Sequence, residues 1–354
     1  MKVFKRILAI LGIILGVVLV AALGVFIWLW ATEYRPEATE PVTVEAPVEQ
    51  ALNKDSFTVL TWNVGYCALG EESDFFMDGG KTVRPDSDLI TKNFAGIQGF
   101  LSGVKADFTL LQEVDSDSRR SYHNDEVAVL RAKLGQTSSY AMNFCTKFVP
   151  YPWPPLGRVH SGLLTFSQYK VAEAQRISLP CPFSWPMSMV NLKRCLLVNR
   201  IPLEGSDREL VLVNLHLEAY DDGEGKLAQS KQLREFLSAE YDKGNYIVAG
   251  GDWNQIFPET DKTYPNEHPE LWLPGLLDES ELEEGWRYVW DDSTPTCRLL
   301  NQPYDPADTE NTQYYVIDGF LVSPNLNVER VETMNEGFSY SDHNPVLLTL
   351  SIGE

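Results

Sequence analysis

Cysteine is scarce: Cys67, Cys145, Cys181, Cys195 and Cys297 are spread over 354 positions, with no CxxC and no Cys/His pair at ligand spacing. That excludes a disulfide-dense scaffold and offers no zinc site, and the odd count leaves at least one thiol unpaired. Several of these residues read as small buried hydrophobes, and no bridge is assigned. There is no internal repeat and no GxSxG elbow or comparable serine or cysteine nucleophile motif. Positive charge is in short supply as well, with 29 Lys and Arg against 50 Asp and Glu and a net charge of −21. Residues 1–54 hold five groups of each sign, so the whole imbalance falls on residues 55–354. A surface of that sign repels a polyanion, which disfavours DNA or RNA as the main substrate unless a local groove departs from the average. Against these deficits the composition is ordinary, 44% hydrophobic and 22% charged, which excludes disordered and collagen-like chains and supplies a sizeable core.

One long apolar run is present. Positions 7–30 carry no charge, and 24 residues are enough for a helix crossing about 30 Å of hydrocarbon. Lys2, Lys5 and Arg6 precede the run and Glu33 follows it, so residues 1–6 are expected in the cytoplasm and the rest outside. A cleaved signal peptide, with Ala21-Ala22-Leu23-Gly24 as a weak cleavage site, is the alternative. The run exceeds the roughly 7 to 15 residues of a secretory core, which favours an uncleaved signal anchor. Residues 31–54, with Pro36, Pro41, Pro47 and five glutamates, read as an extended linker. Residues 55–354 then form one extracytoplasmic domain on a single-pass cell-membrane protein, an arrangement usual at a bacterial surface.

Within that domain, short apolar runs alternate with loops and a few helical stretches, which predicts an α/β fold. Strands are expected at Thr58 to Thr61, Phe108 to Leu111, Gly162 to Phe166, Cys195 to Ile201, Leu210 to Leu215, Tyr246 to Ala249, Tyr314 to Ile317, Phe320 to Val322 and Val346 to Leu350. Many are continuously apolar, which predicts burial on both faces and so two packed sheets with helices outside. Ile90, Phe94, Ile97, Leu101 and Val104, and likewise Leu233, Leu237 and Tyr241, recur at helical spacing and mark core-facing helices. The acidic stretch from Asp261 to Glu284 reads as a long surface excursion.

Several apolar strands end in a residue able to bind a cation or move a proton: Asn63, Glu113, His216, Asp252 with Asn254, and Asp318. Asp342 and His343 lie just before the final strand. Strand ends hand side chains to a shared cleft, so this recurrence predicts one convergent site. Oxygen donors from Glu, Asp and Asn suit Mg²⁺, with Mn²⁺ or Ca²⁺ as alternatives, and histidines supply proton transfer near neutrality. The chemistry that fits is metal-assisted attack of water on a phosphate ester.

TWN at 61–63, LQEV at 111–114, NLHL at 214–217, GGDWN at 250–254, IDGFLVS at 317–323 and SDHNPV at 341–346 together resemble the endonuclease/exonuclease/phosphatase superfamily, the DNase I-like phosphoesterases. The resemblance implies a four-layer sandwich of two packed mixed β-sheets flanked by helices, preceded here by one N-terminal transmembrane helix. It implies Glu113 as the main metal ligand, with Asn63 beside it and Asp342 completing the metal side. Asp252 and Asn254 would orient the nucleophile and grip the phosphate. His343, oriented by Asp318, would be a general base or a phosphate-stabilising imidazolium, and His216 would donate to the leaving group or phosphate.

The reading that follows is a membrane-tethered, Mg²⁺-dependent phosphoesterase acting on small or lipid-linked esters. Its rivals are a surface nuclease degrading extracellular DNA, which a basic strip beside the cleft would favour, and a catalytically inactive surface-binding protein. Asp115, Arg120 and Ser121 are expected in a loop lining the site, and His123, His160 and His268 at the surface or behind it. Two proline-rich aromatic stretches remain, Phe148 to Gly157 and Pro180 to Met187. Their rings are expected to pack together as a satellite core; exposed rings would instead suit a membrane interface.

Overall fold

The computed structural model describes residues 1–353 apart from Asp222 and Thr309; Glu354, where the expected domain ends, lies outside the described residues. Two seven-stranded sheets dominate it. In the first, the strand order is Thr39–Pro41, Glu173–Ser178, Cys195–Pro202, Glu209–His216, Tyr246–Asp252, Asp318–Val322 and Arg287–Val289. The second runs Leu326–Thr333, Val346–Ile352, Ser56–Asn63, Phe108–Asp115, Gly157–Ser167, Thr137–Val149 and Val44–Glu45. Each sheet is antiparallel except for one central parallel pair, Glu209–His216 with Tyr246–Asp252 and Ser56–Asn63 with Phe108–Asp115.

Alternation along a strand explains the continuous apolar runs. In Ser56–Asn63, Phe57 and Val59 face the other sheet, where they meet Leu210, Leu212, Val248, Phe320 and Val322. Leu60 and Trp62 point the opposite way, onto Ile90, Phe94, Ile97 and Leu101 of the helix Ser87–Gly103. On the far side Val211, Val213 and Val198 pack under Leu233 and Leu237 of the helix Glu224–Tyr241. The result is helix, sheet, sheet, helix. Toward the strand ends the interface between the sheets turns polar: Gln112 donates to Asn214 Oδ1 at 2.8 Å, and Asn214 donates to the carbonyls of Leu111 and Leu164. Each such group is buried and paired, so this layer fixes the relative slide of the sheets without an unpaired polar cost.

The helix Lys2–Ala31 is long and apolar enough to cross a membrane, with a mean hydropathy of 3.1 over its most apolar window. Its last turns are not detached from the domain. Leu29 is buried against Met189 and Val190, and the rings of Phe26 and Trp185 meet edge to face at 5.5 Å. The segment 31–54, expected as an extended linker, is extended but hydrogen-bonded throughout its middle. Thr39–Pro41 adds to the edge of the first sheet and Val44–Glu45 to the edge of the second, and Leu52 pairs with Leu203. Its prolines and glutamates hid this, because edge strands tolerate both. The rings of the two aromatic stretches do not pack together as the expected satellite core: Trp153 is 89% exposed and Trp185 61%, while Phe148, Val149 and Leu156 join small clusters with other residues.

Candidate active site

Strand register places the chemistry. Asp252 ends its strand with His216 directly beside it on the parallel neighbour and Asp318 directly beside it on the antiparallel one. His343 arrives from the second sheet's side: Trp62 Nε1 donates to its carbonyl at 2.8 Å, and Ser341 Oγ donates to the Asn63 carbonyl at 2.7 Å. Glu113 sits where the pairing of Phe108–Asp115 with Gly157–Ser167 slips between Leu111 and Val114. Its φ of +56° lies in the left-handed region, a strained setting for a glutamate that turns it out of the sheet. Asn254, with φ of +49°, leaves the first sheet in the same way just past Asp252. Gly251 makes that exit possible, since a Cβ there would lie 1.9 Å from the Leu215 carbonyl oxygen.

The side chains converge on a cleft of about 320 Å³ lined by Asn63, Glu113, His216, Asp252, Asn254, Asp342 and His343. Asp318 stands behind them, fully buried, and holds His343 Nδ1 at 2.7 Å from its Oδ2. On the other side of the ring, Nε2 lies 3.8 Å from Asp252 Oδ2 and 3.9 Å from Asp342 Oδ2. Burial disfavours the imidazolium, but the surrounding acids, Asp318 foremost, outweigh it and hold His343 protonated well above the usual histidine range. His216 has the opposite fate. Burial, with Arg194 and His343 nearby, keeps it neutral, its Nε2 3.3 Å from Asp252 Oδ2. Burial pushes Asp252 up to about 6 and Asp342 up to about 7, in each case against the pull of His343.

Asn63 turns its amide nitrogen to Asp252 Oδ2 at 2.9 Å and to Glu113 Oε1 at 3.3 Å, and its oxygen accepts from Gly65 N. As placed it ties two carboxylates together. Asn254 donates from its side chain to the Leu217 carbonyl, and its backbone N–H donates to Asp252 Oδ1. Asp252, Asp318 and His343 form one group whose ligand atoms lie within 4.8 Å of one another, and Asp342 and His343 form another with Cys297; with His343 cationic, the carboxylate oxygens are the donors left for a hard divalent cation. Asp318 Oδ1 is buried without a partner.

The sequence matches the model of the Endonuclease/Exonuclease/phosphatase family over residues 60–343. The chain belongs to the endonuclease/exonuclease/phosphatase family. Solved structures agree at the level of fold. An endonuclease/exonuclease/phosphatase from Beutenbergia cavernae superposes with a TM-score of 0.56 at 17% identity, covering 85% of this chain and 72% of that one. One from Bacteroides vulgatus gives 0.53 at 17%, covering 84% and 100%. The catalytic domain of human Nocturnin, with a bound sulfate anion, gives 0.51 at 17%, covering 88% and 97%. No curated protein matches the sequence.

This family member also lines its cleft with groups that sequence reading passed over. Arg194 is buried, donating to the His216 carbonyl at 3.3 Å and facing Glu218 Oε2 at 3.4 Å. Tyr220 donates to Asp78 Oδ1 at 2.7 Å, and burial pushes Asp78 up to about 6. Trp272, in the acidic excursion, reaches back to donate to the Ala219 carbonyl. Tyr220 lies four residues beyond His216 and could have been found by extending that strand-end motif; Arg194 and Asp78 carry no local signal. Of the loop residues foreseen, Arg120 reaches the cleft, gripped by both oxygens of Asp115 and stacked 3.5 Å over the Tyr66 ring. Ser121 donates to the same Asp115. His123 pairs with Asp117 at the surface, His160 is half-buried, and His268 lies by Glu270; none lines the cleft.

Proposed function

We propose that this protein is a membrane-tethered, extracytoplasmic phosphoesterase that uses a divalent cation, Mg²⁺ by the hardness of its donors, to hydrolyse small or lipid-linked phosphate esters. One observation carries the reading: a histidine held cationic by a buried aspartate stands beside a crowd of carboxylates at the mouth of two packed sheets. Glu113 and Asp342, with Asn63 alongside, would hold the cation, which supplies neutralisation of phosphoryl charge and a more acidic attacking water. His343 offers its Nε2–H to a phosphoryl oxygen, with Asp318 fixing ring orientation and charge. Asp252, pushed up to about 6, accepts the proton of the attacking water near neutral pH. His216, kept neutral, contributes a hydrogen bond to the phosphate or leaving group. Asn254 orients the nucleophile.

Substrate size follows from the cleft's cations. Arg120 is engaged by Asp115, Arg194 by Glu218, and Arg298 by the carbonyls of Gly70 and Ser73. These arginines face the cleft already committed to protein partners, and the domain around them is strongly acidic. A polyanionic strand finds little here to replace its counterions. The test is hydrolysis of bis(p-nitrophenyl) phosphate and p-nitrophenyl phosphate by the full chain with and without Mg²⁺, beside plasmid nicking at low salt. Metal-dependent turnover of the small esters, lost in Glu113→Ala and His343→Ala, is expected. Nicking that disappears in His343→Ala would make the protein a nuclease, and a folded chain that neither binds Mg²⁺ nor turns over any ester would make it a binding protein.

A further inference from the structure

The two aromatic stretches and the N-terminal helix occupy one place. Phe148 packs with Leu29, Met189 and Val190, while Phe26 meets the Trp185 ring, so the helix leaves the domain through the surface formed by residues 148–157 and 180–192. Phe26 lies five residues before the helix end at Ala31, about 7.5 Å along the axis, which sets Trp185 at the depth where interfacial side chains reside in a bilayer. The 23 positions of these two stretches carry no charged residue, in a chain that has 79. They present Trp153, Trp185, Tyr151 and Met187 to the outside. Tryptophan and tyrosine are the side chains that settle at the boundary of hydrocarbon and headgroup.

The same stretches also form one wall of the cleft. Val149, Tyr151, Leu156, Phe183, Met187 and Leu192 line it together with the carboxylates and histidines. An apolar path therefore runs from the exposed rings to the polar site. We infer that residues 148–157 and 180–192 are a bilayer-docking surface that seats the cleft against the leaflet from which the helix emerges, and that the substrate is a lipid-borne phosphate ester whose chains lie along the apolar wall. The substrate half of this inference rests on the phosphoesterase reading; the docking half stands on the rings and the helix alone.

The test uses the full chain reconstituted in phosphatidylcholine vesicles. With bromines on the acyl chains, the emission lost in Trp153→Phe reports Trp153 by difference. Quenching of that component by the bromines, with protection from aqueous acrylamide, is expected; a component untouched by bromine and open to acrylamide overturns the docking. Turnover is then compared between soluble p-nitrophenyl esters and vesicles containing phosphatidic acid or phosphatidylglycerol, a lipid monoester and diester. Trp153→Ala with Trp185→Ala should leave soluble turnover within about twofold and lower vesicle turnover roughly tenfold, since two aromatic anchors are withdrawn from the interface. Equal loss on both substrate types, or soluble turnover with neither lipid hydrolysed, overturns the lipid substrate. A wild-type chain that hydrolyses nothing refutes the phosphoesterase reading instead, while quenching still decides the docking.

Discussion

Asp318→Asn is the sharpest probe of the site because it changes charge and donor character at constant shape. Asp318 is fully buried; its Oδ2 receives His343 Nδ1–H at 2.7 Å, while Oδ1 has no partner. An asparagine can keep an oxygen toward the ring, leaving its NH₂ buried without an acceptor. It can otherwise turn the NH₂ to Nδ1 and force the imidazole to accept there. Either way the carboxylate that chiefly holds His343 protonated is gone, and burial drives the ring toward neutrality. If the imidazolium is the preorganised donor to the phosphoryl oxygen, its loss costs about 2.7–4 kcal/mol in the transition state, which corresponds to about 10²- to 10³-fold in rate. The assay is kcat/KM for bis(p-nitrophenyl) phosphate with Mg²⁺ from about pH 5 to 9. In the wild type the folded pKa of His343 is raised, so the imidazolium persists through neutrality. In the variant it survives only at lower pH, and the alkaline limb moves toward acid. The backbone N–H of Asp318 donates to Thr296 Oγ1 and is untouched, so the melting curve serves as a fold control. A variant with kcat/KM within about threefold of wild type and an unmoved alkaline limb would refute the role given to the pair.

Mg²⁺ at about 100 times its dissociation constant should stabilise the wild-type chain by about 2.7 kcal/mol in thermal unfolding, and Glu113→Ala should lose that response. Gly251→Ala, whose Cβ would collide with the Leu215 carbonyl, should destabilise by about 3 kcal/mol or fail to accumulate, as measured by urea unfolding. Burial raises the Glu240 carboxyl, but hydrogen bonds from Arg200 and Lys243 prevail and hold it at about 2, below its ordinary 4.5. Its stabilisation is therefore complete above about pH 5 and fades as pH falls toward 2. Glu240→Gln should cost about 2 kcal/mol at neutral pH, less than the shift alone implies because water reaches Arg200, and should flatten stability over that acid window.

Much of the architecture was legible because burial on both faces leaves a plain trace. Runs such as LVLV at 210–213 are apolar at every position, since Leu212 and Val211 serve different layers of one sandwich. Thr137–Val149 escaped notice although it is the longest described strand, because Ser138 and Ser139 are buried with their hydroxyls paired, Ser138 accepting from Arg131 Nε and Ser139 donating across the sheets to Asn199 Oδ1 at 2.7 Å. Propensity cannot anticipate a partner 60 residues away. The site residues were legible for a different reason: each lies at or next to one end of an apolar strand, where a carboxylate or imidazole has no local excuse. Arg194 reaches the cleft from a loop and Asp78 from a single 3-10 turn, Phe76–Asp78, and the path of each depends on the whole fold, so nothing near them in sequence announces them. The exposure of Trp153 and Trp185 was misjudged because composition records that a ring is large, not what lies beside it.

The pairing of residues 39–45 with both sheets has a further consequence. Seven residues separate Ala31 from Thr39, and those beyond them are clamped to the edges of the domain, so the connection has no slack to pay out. Under the proposal that Lys2–Ala31 spans a bilayer, a domain held this way would not roam the volume above it; it would keep one height and one tilt. Its encounters would be those of a flat world, in which supply is set by lateral diffusion and surface density and is indifferent to dilution of the surrounding fluid. Lengthening that connection with a flexible insert would trade this planar economy for reach.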